Sequence, residues 1–162
     1  MFFLLDPTVT LQVRYSGSRS MPFPCTRSLL ITYKFISTTG WGKIKHPGGA
    51  HHILQQAHMP SVSLADCQKK NGISGIQVTD SMVCGAKSGT QISGCHGDSG
   101  GPYVCKNTAG RWVLQGDVSW GDPTCNIQKE YTVFGRVAKF RNWIDMHTSG
   151  GKFYLVIFYW LY

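Results

Sequence analysis

An all-β domain is what this sequence predicts, on three observations. Of its 162 residues only 15% are charged, while 19 are glycines and 12% are aromatic, a composition that suits half-buried strands and tight turns better than a helical bundle. From Thr38 onward, short apolar runs are separated by Gly, Pro, Asn and Asp at strand-and-turn spacing. Trp112, Leu114, Gly116, Val118 and Trp120 alternate with Val113, Gln115, Asp117 and Ser119, the period of two of a strand with one apolar face.

The elements follow in chain order. Residues 1–37 sustain neither a period of 2 nor one of 3.6 and are broken by Ser16–Ser20 and Pro22–Pro24, so they are left unassigned. Residues 38–148 form the predicted domain. Within it, Ser63-Leu64-Ala65-Asp66 has the form of a capping box, in which hydroxyl and carboxylate satisfy free amides at a helix start. Phe140, Trp143, Ile144 and His147 fall at i, i+3, i+4 and i+7, one face of a second short helix. Residues 149–162 end in the apolar decamer Phe153–Tyr162, expected to be foreign to the domain and prone to aggregate.

Charge and cysteines narrow the function. The net charge is +8, yet the basic residues are scattered and Lys69-Lys70 is the longest run, so nucleic acid is not an expected partner. The decamer is about half the length a bilayer-spanning helix needs, so no membrane span is expected. Six cysteines, at 25, 67, 84, 95, 105 and 125, form no CxxC pair and no Cys/His cluster of zinc-finger spacing, so neither a metal nor a cofactor is expected. An even, widely spaced set reads as a disulfide framework, with fifteen connectivities open, and hence as a chain of an oxidising, extracellular compartment. A secretory leader is not evident, because Asp6 and Pro7 cut short the apolar start Met1–Leu5.

Chemistry concentrates in Gly94-Cys95-His96-Gly97-Asp98-Ser99-Gly100-Gly101-Pro102. Glycines on both sides let Ser99 stand on a tight exposed turn that a substrate can approach closely. Two backbone amides aimed at one point would make an oxyanion hole, worth about 10²–10³ in rate per donor.

This stretch resembles the nucleophile loop of the chymotrypsin/elastase-like serine proteases. The neighbours agree: Thr39-Gly40-Trp41-Gly42 resembles the TGWG segment, and Leu54-Gln55-Gln56-Ala57 with Pro60 the LQQA…P strand. Val118-Ser119-Trp120-Gly121 resembles the VSWG strand beside the specificity pocket, and Thr132–Val137 with Trp143-Ile144 the last strand and terminal helix. The resemblance covers about residues 38–148 and implies the second six-stranded antiparallel β-barrel of that fold, with a short C-terminal helix.

Roles follow from the resemblance. Ser99 matches the nucleophile, the amides of Gly97 and Ser99 the oxyanion hole, and Asp98 the carboxylate that pairs with a freshly cleaved amino terminus. Without that partner the Asp98 loop is expected to rearrange. Ser119, Trp120 and Gly121 match the edge strand that binds substrate backbone, and His96 the pocket rim. Ser93 matches a neutral pocket floor, Gly121 an open entrance, and Thr132 a β-branched filler that makes the pocket shallower. Uncharged apolar side chains are therefore the expected preference. Cys67–Cys84 and Cys95–Cys125 match two family disulfides. The family partner of Cys105 falls at position 36, here Ile36, so Cys25 and Cys105 are open to being free unless the N-terminal segment packs differently.

The resemblance also implies a base that is missing. The family's His and Asp come from a first barrel preceding TGWG, and no segment of that kind is found before Thr38. His46, His51, His52, His58, His96 and His147 are each expected to be structural or surface residues. The chain is thus expected to be a serine endopeptidase by family, acting on peptides or proteins and open to protein protease inhibitors, but inactive as it stands. The alternatives are a non-catalytic peptide-binding module and a truncated fragment.

Overall fold

The computed structural model describes residues 36–72, 75–106, 110 and 112–148. Seven strands cross it: β1 (Ile36–Gly40), β2 (Gln55–His58), β3 (Ser61–Val62), β4 (Met82–Gly85), β5 (Pro102–Lys106), β6 (Trp112–Trp120) and β7 (Thr132–Arg136). They form one antiparallel sheet in the order β2-β1-β5-β6-β7-β4-β3. The described residues are mostly β as expected, with seven strands among them where the resemblance implied six.

The extra strand comes from a corner. β2 and β3 lie at opposite ends of the sheet, yet only Met59 and Pro60 separate them in the chain. Proline has no amide hydrogen for a ladder, so the run bends there. The Met59 amide donates to Ile36 O at 2.9 Å, and Ala86 donates to Pro60 O at 2.9 Å. Tyr103 reaches in with its hydroxyl, donating to Met59 O at 2.8 Å. The sheet therefore curls until one bent segment borders both of its ends.

Inside the curl lie Ile36, Met59, Tyr103, Cys105, Val118 and Phe134, all buried. The Tyr103 and Phe134 rings stack with centroids 4.0 Å apart. Each such side chain contributes about 1.5–3 kcal/mol by leaving water. Burial also pushes the Tyr103 phenol far above its ordinary titration range. A second cluster, Cys67, Val78, Cys84 and Val133, packs below the helix that follows β3.

That helix, α1 (Leu64–Asn71), starts where the capping signal placed it. Ser63 Oγ accepts the Asp66 amide at 3.1 Å. The Asp66 carboxylate takes the Ser63 hydroxyl hydrogen rather than the Ser63 amide, a variation on the expected reciprocal box. Cys67–Cys84 staples the helix to β4. At its other end the fully buried Asn71 donates Nδ2 to Tyr131 O at 2.8 Å and accepts the Tyr131 amide at 3.0 Å. One side chain thus stands in for a strand beside β7.

Three observations bear on these readings. β1 begins at Ile36, two residues before the predicted domain start, because Ile36 is core. Cys105 is not a free thiol: it is buried and disulfide-bonded, with its partner outside the described residues. The helix α2 (Arg141–Thr148) exists, but of its predicted apolar face only Ile144 is half-buried, while Phe140 and Trp143 are 46% and 59% exposed. Trp143 instead stacks on the His147 ring, with centroids 4.5 Å apart. The readings of residues 1–35 and 149–162 lie outside the described residues.

Alternation along β6 holds from Gly116 to Trp120 and fails at its start, where Trp112 is exposed beneath the Lys106 ammonium. β6 lies between β5 and β7, but β5 pairs with it only as far as Asp117, so Ser119 and Trp120 have a ladder neighbour on the β7 side alone. A bulge interrupts the β7 side as well. Val118 pairs with Phe134 and Trp120 with Val133, which leaves Ser119 out of register.

Candidate active site

Ser99 sits in the turn between Ser93 and Gly101, and three kinds of bond fix that turn. Cys95–Cys125 ties its start to the loop after β6, with Cα atoms 5.3 Å apart. Gly100 donates to Val118 O and Val118 donates to Gly101 O, both at 2.9 Å, so the turn is laced to β6. Within it, Asp98 donates to Cys95 O at 3.0 Å and Gly101 to Asp98 O at 2.9 Å. Gly97 holds a φ of +96°, a region where a side chain would strain the backbone. Ser99 itself is exposed at the crest.

Beneath the crest, the Asp98 carboxylate is half-buried and turned inward. Oδ1 accepts the Gly42 amide at 2.8 Å and Oδ2 accepts the Cys95 amide at 3.0 Å. Gly40 and Gly42 make room for it, since a Cβ on either would run into the carboxylate. Backbone donors thus hold the Asp98 carboxylate in this position. A cavity of about 100 Å³ lies against the same carboxylate, lined also by Gly40, Gly42, Lys43, Gln56 and Ser93.

Above it, the amides of Gly97 and Ser99 and the Ser99 hydroxyl make no hydrogen bond among the described residues. Two amide donors and a hydroxyl are thus presented together on one turn. Nor does any described histidine ring bond to Ser99. His96 Nε2 lies 2.8 Å from Pro123 O, His147 Nδ1 2.8 Å from Trp143 O, and His51 Nδ1 accepts the Ile53 amide at 3.2 Å. His58 is on β2, and His46 and His52 are in the preceding loop.

The other predicted residues gather around the turn. Ser93 donates its hydroxyl to Cys125 O at 2.8 Å. Thr132 is buried and accepts the Gly94 amide through Oγ1, also at 2.8 Å. Its side chain therefore braces β7 against the Ser99 turn. Gly121 lies half-buried beside the Tyr131 carbonyl and Thr132 Cα, and Trp120 is half-buried. Asp122 organises the next turn by accepting the Thr124 and Asn126 amides at 2.8 and 3.1 Å. Burial raises its pKa, but the Thr124 hydroxyl, those two amides and the Lys129 charge outweigh it and hold Asp122 below the ordinary carboxylate value.

Sequence reasoning missed Gly40 and Gly42 as the Asp98 cradle and Asn71 as a β-like anchor. The glycine pair was in view within Thr39–Gly42, but nothing local ties it to a carboxylate 56 positions away.

Among known families, the model described as trypsin matches residues 17–144. The chain belongs to the trypsin family. The match begins well before Thr38, so the family likeness extends further toward the N-terminus than the motifs suggested. Among curated members, the chain is 41% identical over 108 residues to Chymotrypsin-C of Rattus norvegicus, covering 66% of this chain and 40% of that protein. It is 34% identical over 114 residues to Transmembrane protease serine 11C of Mus musculus, covering 70% of this chain and 26% of that protein. The chain thus spans less than half the length of either trypsin-family relative. No helix among the described residues is long and apolar enough to cross a membrane. Trypsin-family membership and the curled antiparallel sheet agree with the second barrel of that fold.

Proposed function

We propose that residues 38–148 are the nucleophile-bearing barrel of a secreted serine endopeptidase, with Ser99 attacking the peptide carbonyl. The observation that carries the reading is the anchored turn: Asp98 bonded to Gly42 and Cys95 below, Ser99 and two unengaged amides above. Electrostatic preorganisation needs such donors fixed before the charge develops. Gly97 and Ser99 then stabilise the oxyanion, while Ser93, Gly121 and Thr132 shape a neutral pocket for apolar side chains of small to medium size. His96, Ser119 and Trp120 border the substrate. A protein inhibitor would enter by the same cleft.

A serine hydroxyl attacks only when a base removes its proton. The described residues offer Ser99 no imidazole, so the base and its orienting carboxylate belong to a further barrel. On this reading the chain alone is catalytically silent, and the cavity against Asp98 receives a cationic amino terminus when the enzyme matures.

The test is active-site labelling with a fluorophosphonate. The chain alone is expected not to label, whereas the chain joined to a His- and Asp-bearing first barrel is expected to label at Ser99. Labelling of the combined protein that survives Ser99→Ala would overturn the assignment of the nucleophile. Labelling of the chain alone, lost in Ser99→Ala, would overturn the claim of silence.

A further inference from the structure

The loop after β1 brings one histidine against another from the Ser99 turn. Lys43 donates to His96 O at 2.9 Å and bridges to Ala50, which fixes this loop beside the turn. The His46 and His96 ring centroids then stand 5.5 Å apart with their planes inclined at 47°. Both side chains are exposed.

His96 is already set up as a ligand. Its Nε2 lies 2.8 Å from Pro123 O, and a carbonyl can only accept, so Nε2 carries the hydrogen. The neutral ring therefore keeps its lone pair on Nδ1. An imidazole whose other nitrogen donates to a backbone carbonyl is the usual arrangement of a metal-binding histidine. His46 makes no ring hydrogen bond among the described residues, so both its nitrogens are available.

The spacing fits. A zinc ion sits about 2.0–2.1 Å from each imidazole nitrogen, hence about 3.2 Å from each ring centre, so two rings at a near-tetrahedral angle have centres about 5 Å apart. The pair His51 and His52 is a useful contrast. Their centroids are 5.2 Å apart with the rings nearly parallel at 7°, but His51 Nδ1 is already engaged by the Ile53 amide.

We propose that His46 and His96 bind a borderline divalent cation such as Zn²⁺ on the rim beside Ser99. No group of three or more His, Cys, Asp or Glu side chains suited to a metal occurs among the described residues. Water or a donor from a bound partner completes the coordination, and binding is reversible. Occupancy clips the loop to the nucleophile turn and puts a hydrated dication at the mouth of the cleft. Cysteine spacing gave no hint of this site, because the fold, not the sequence, brings the two rings together. The proposal does not rest on the protease reading.

Calorimetric titration of the full chain with Zn²⁺ alone tests it. One saturable site is expected, weakened about ten-fold or more by His46→Ala and likewise by His96→Ala, and unchanged by His52→Ala. Absence of saturable binding, binding unaffected by either of the first two substitutions, or equal loss in His52→Ala would each overturn it.

Discussion

Asp98 Oδ1 accepts the backbone amide of Gly42 at 2.8 Å, joining the Ser99 turn to the segment just after β1. The bond needs an acceptor at both carboxylate oxygens, since Cys95 donates to the other. Asp98→Asn turns one of those acceptors into a donor facing an amide hydrogen. It is expected to cost about 1–3 kcal/mol, read by chemical denaturation. Gly42→Ala should cost about as much for a steric reason, because its methyl group meets the same carboxylate. Unchanged stability in both variants would remove Asp98 as the anchor.

Thr132 offers a cleaner separation of shape from hydrogen bonding. Thr132→Val keeps the volume but leaves the Gly94 amide without its acceptor, an expected loss of about 1–3 kcal/mol. Thr132→Ser keeps the hydroxyl and is expected to lose less than Val. Thermal unfolding of the two variants side by side decides the matter, and equal losses would mean that the hydroxyl does not act as a brace.

Asn71→Ala removes both bonds to Tyr131 from a fully buried site. The expected loss is about 2–3 kcal/mol, with hydrogen exchange accelerated at the Tyr131 amide. Protection of that amide in the variant would show that α1 is not held to β7 in this way.

Asp122 sets a pH dependence. Its folded pKa lies below the ordinary 3.8, so the ionised form favours the folded turn. That contribution is fully present above the ordinary value and is lost as pH falls through the lower folded value. Amide resonances of Thr124 and Asn126 should therefore hold steady at neutral pH and shift only well into acid. In Asp122→Asn the acid shift should vanish. A transition near neutral pH would contradict the assignment.

The sequence made the fold class legible where chemistry is local. Ser63 and Asp66 marked the start of α1, and alternation from Gly116 to Trp120 marked the core of β6. The turn that carries Gly97, Asp98 and Ser99 was legible because glycines on both sides of a serine mark a tight, exposed bend. What escaped was long-range. The Gly42–Asp98 bond and the Asn71–Tyr131 pair depend on contacts 56 and 60 positions apart. Ile36 could be read only as a missing cysteine, yet it lies directly opposite Cys105 across β1 and β5 and fills the core there. The face of α2 misled because helical periodicity reports what can be buried, not what a neighbour covers.

The corner at Met59-Pro60 bears on how this domain comes apart. Ordinary sheets fray from their outermost strands, which have a ladder partner on one side only. Here neither outermost strand can peel away by itself, because a covalent hinge of two residues hoops the cylinder at its seam. Peeling either one would drag the fully buried Met59 from the interior and break its bonds to Ile36 and Tyr103. A protease that nicks the exposed loop around Lys45 to Gly49 would therefore leave the cylinder rolled, whereas a cut at the hinge would let it unroll.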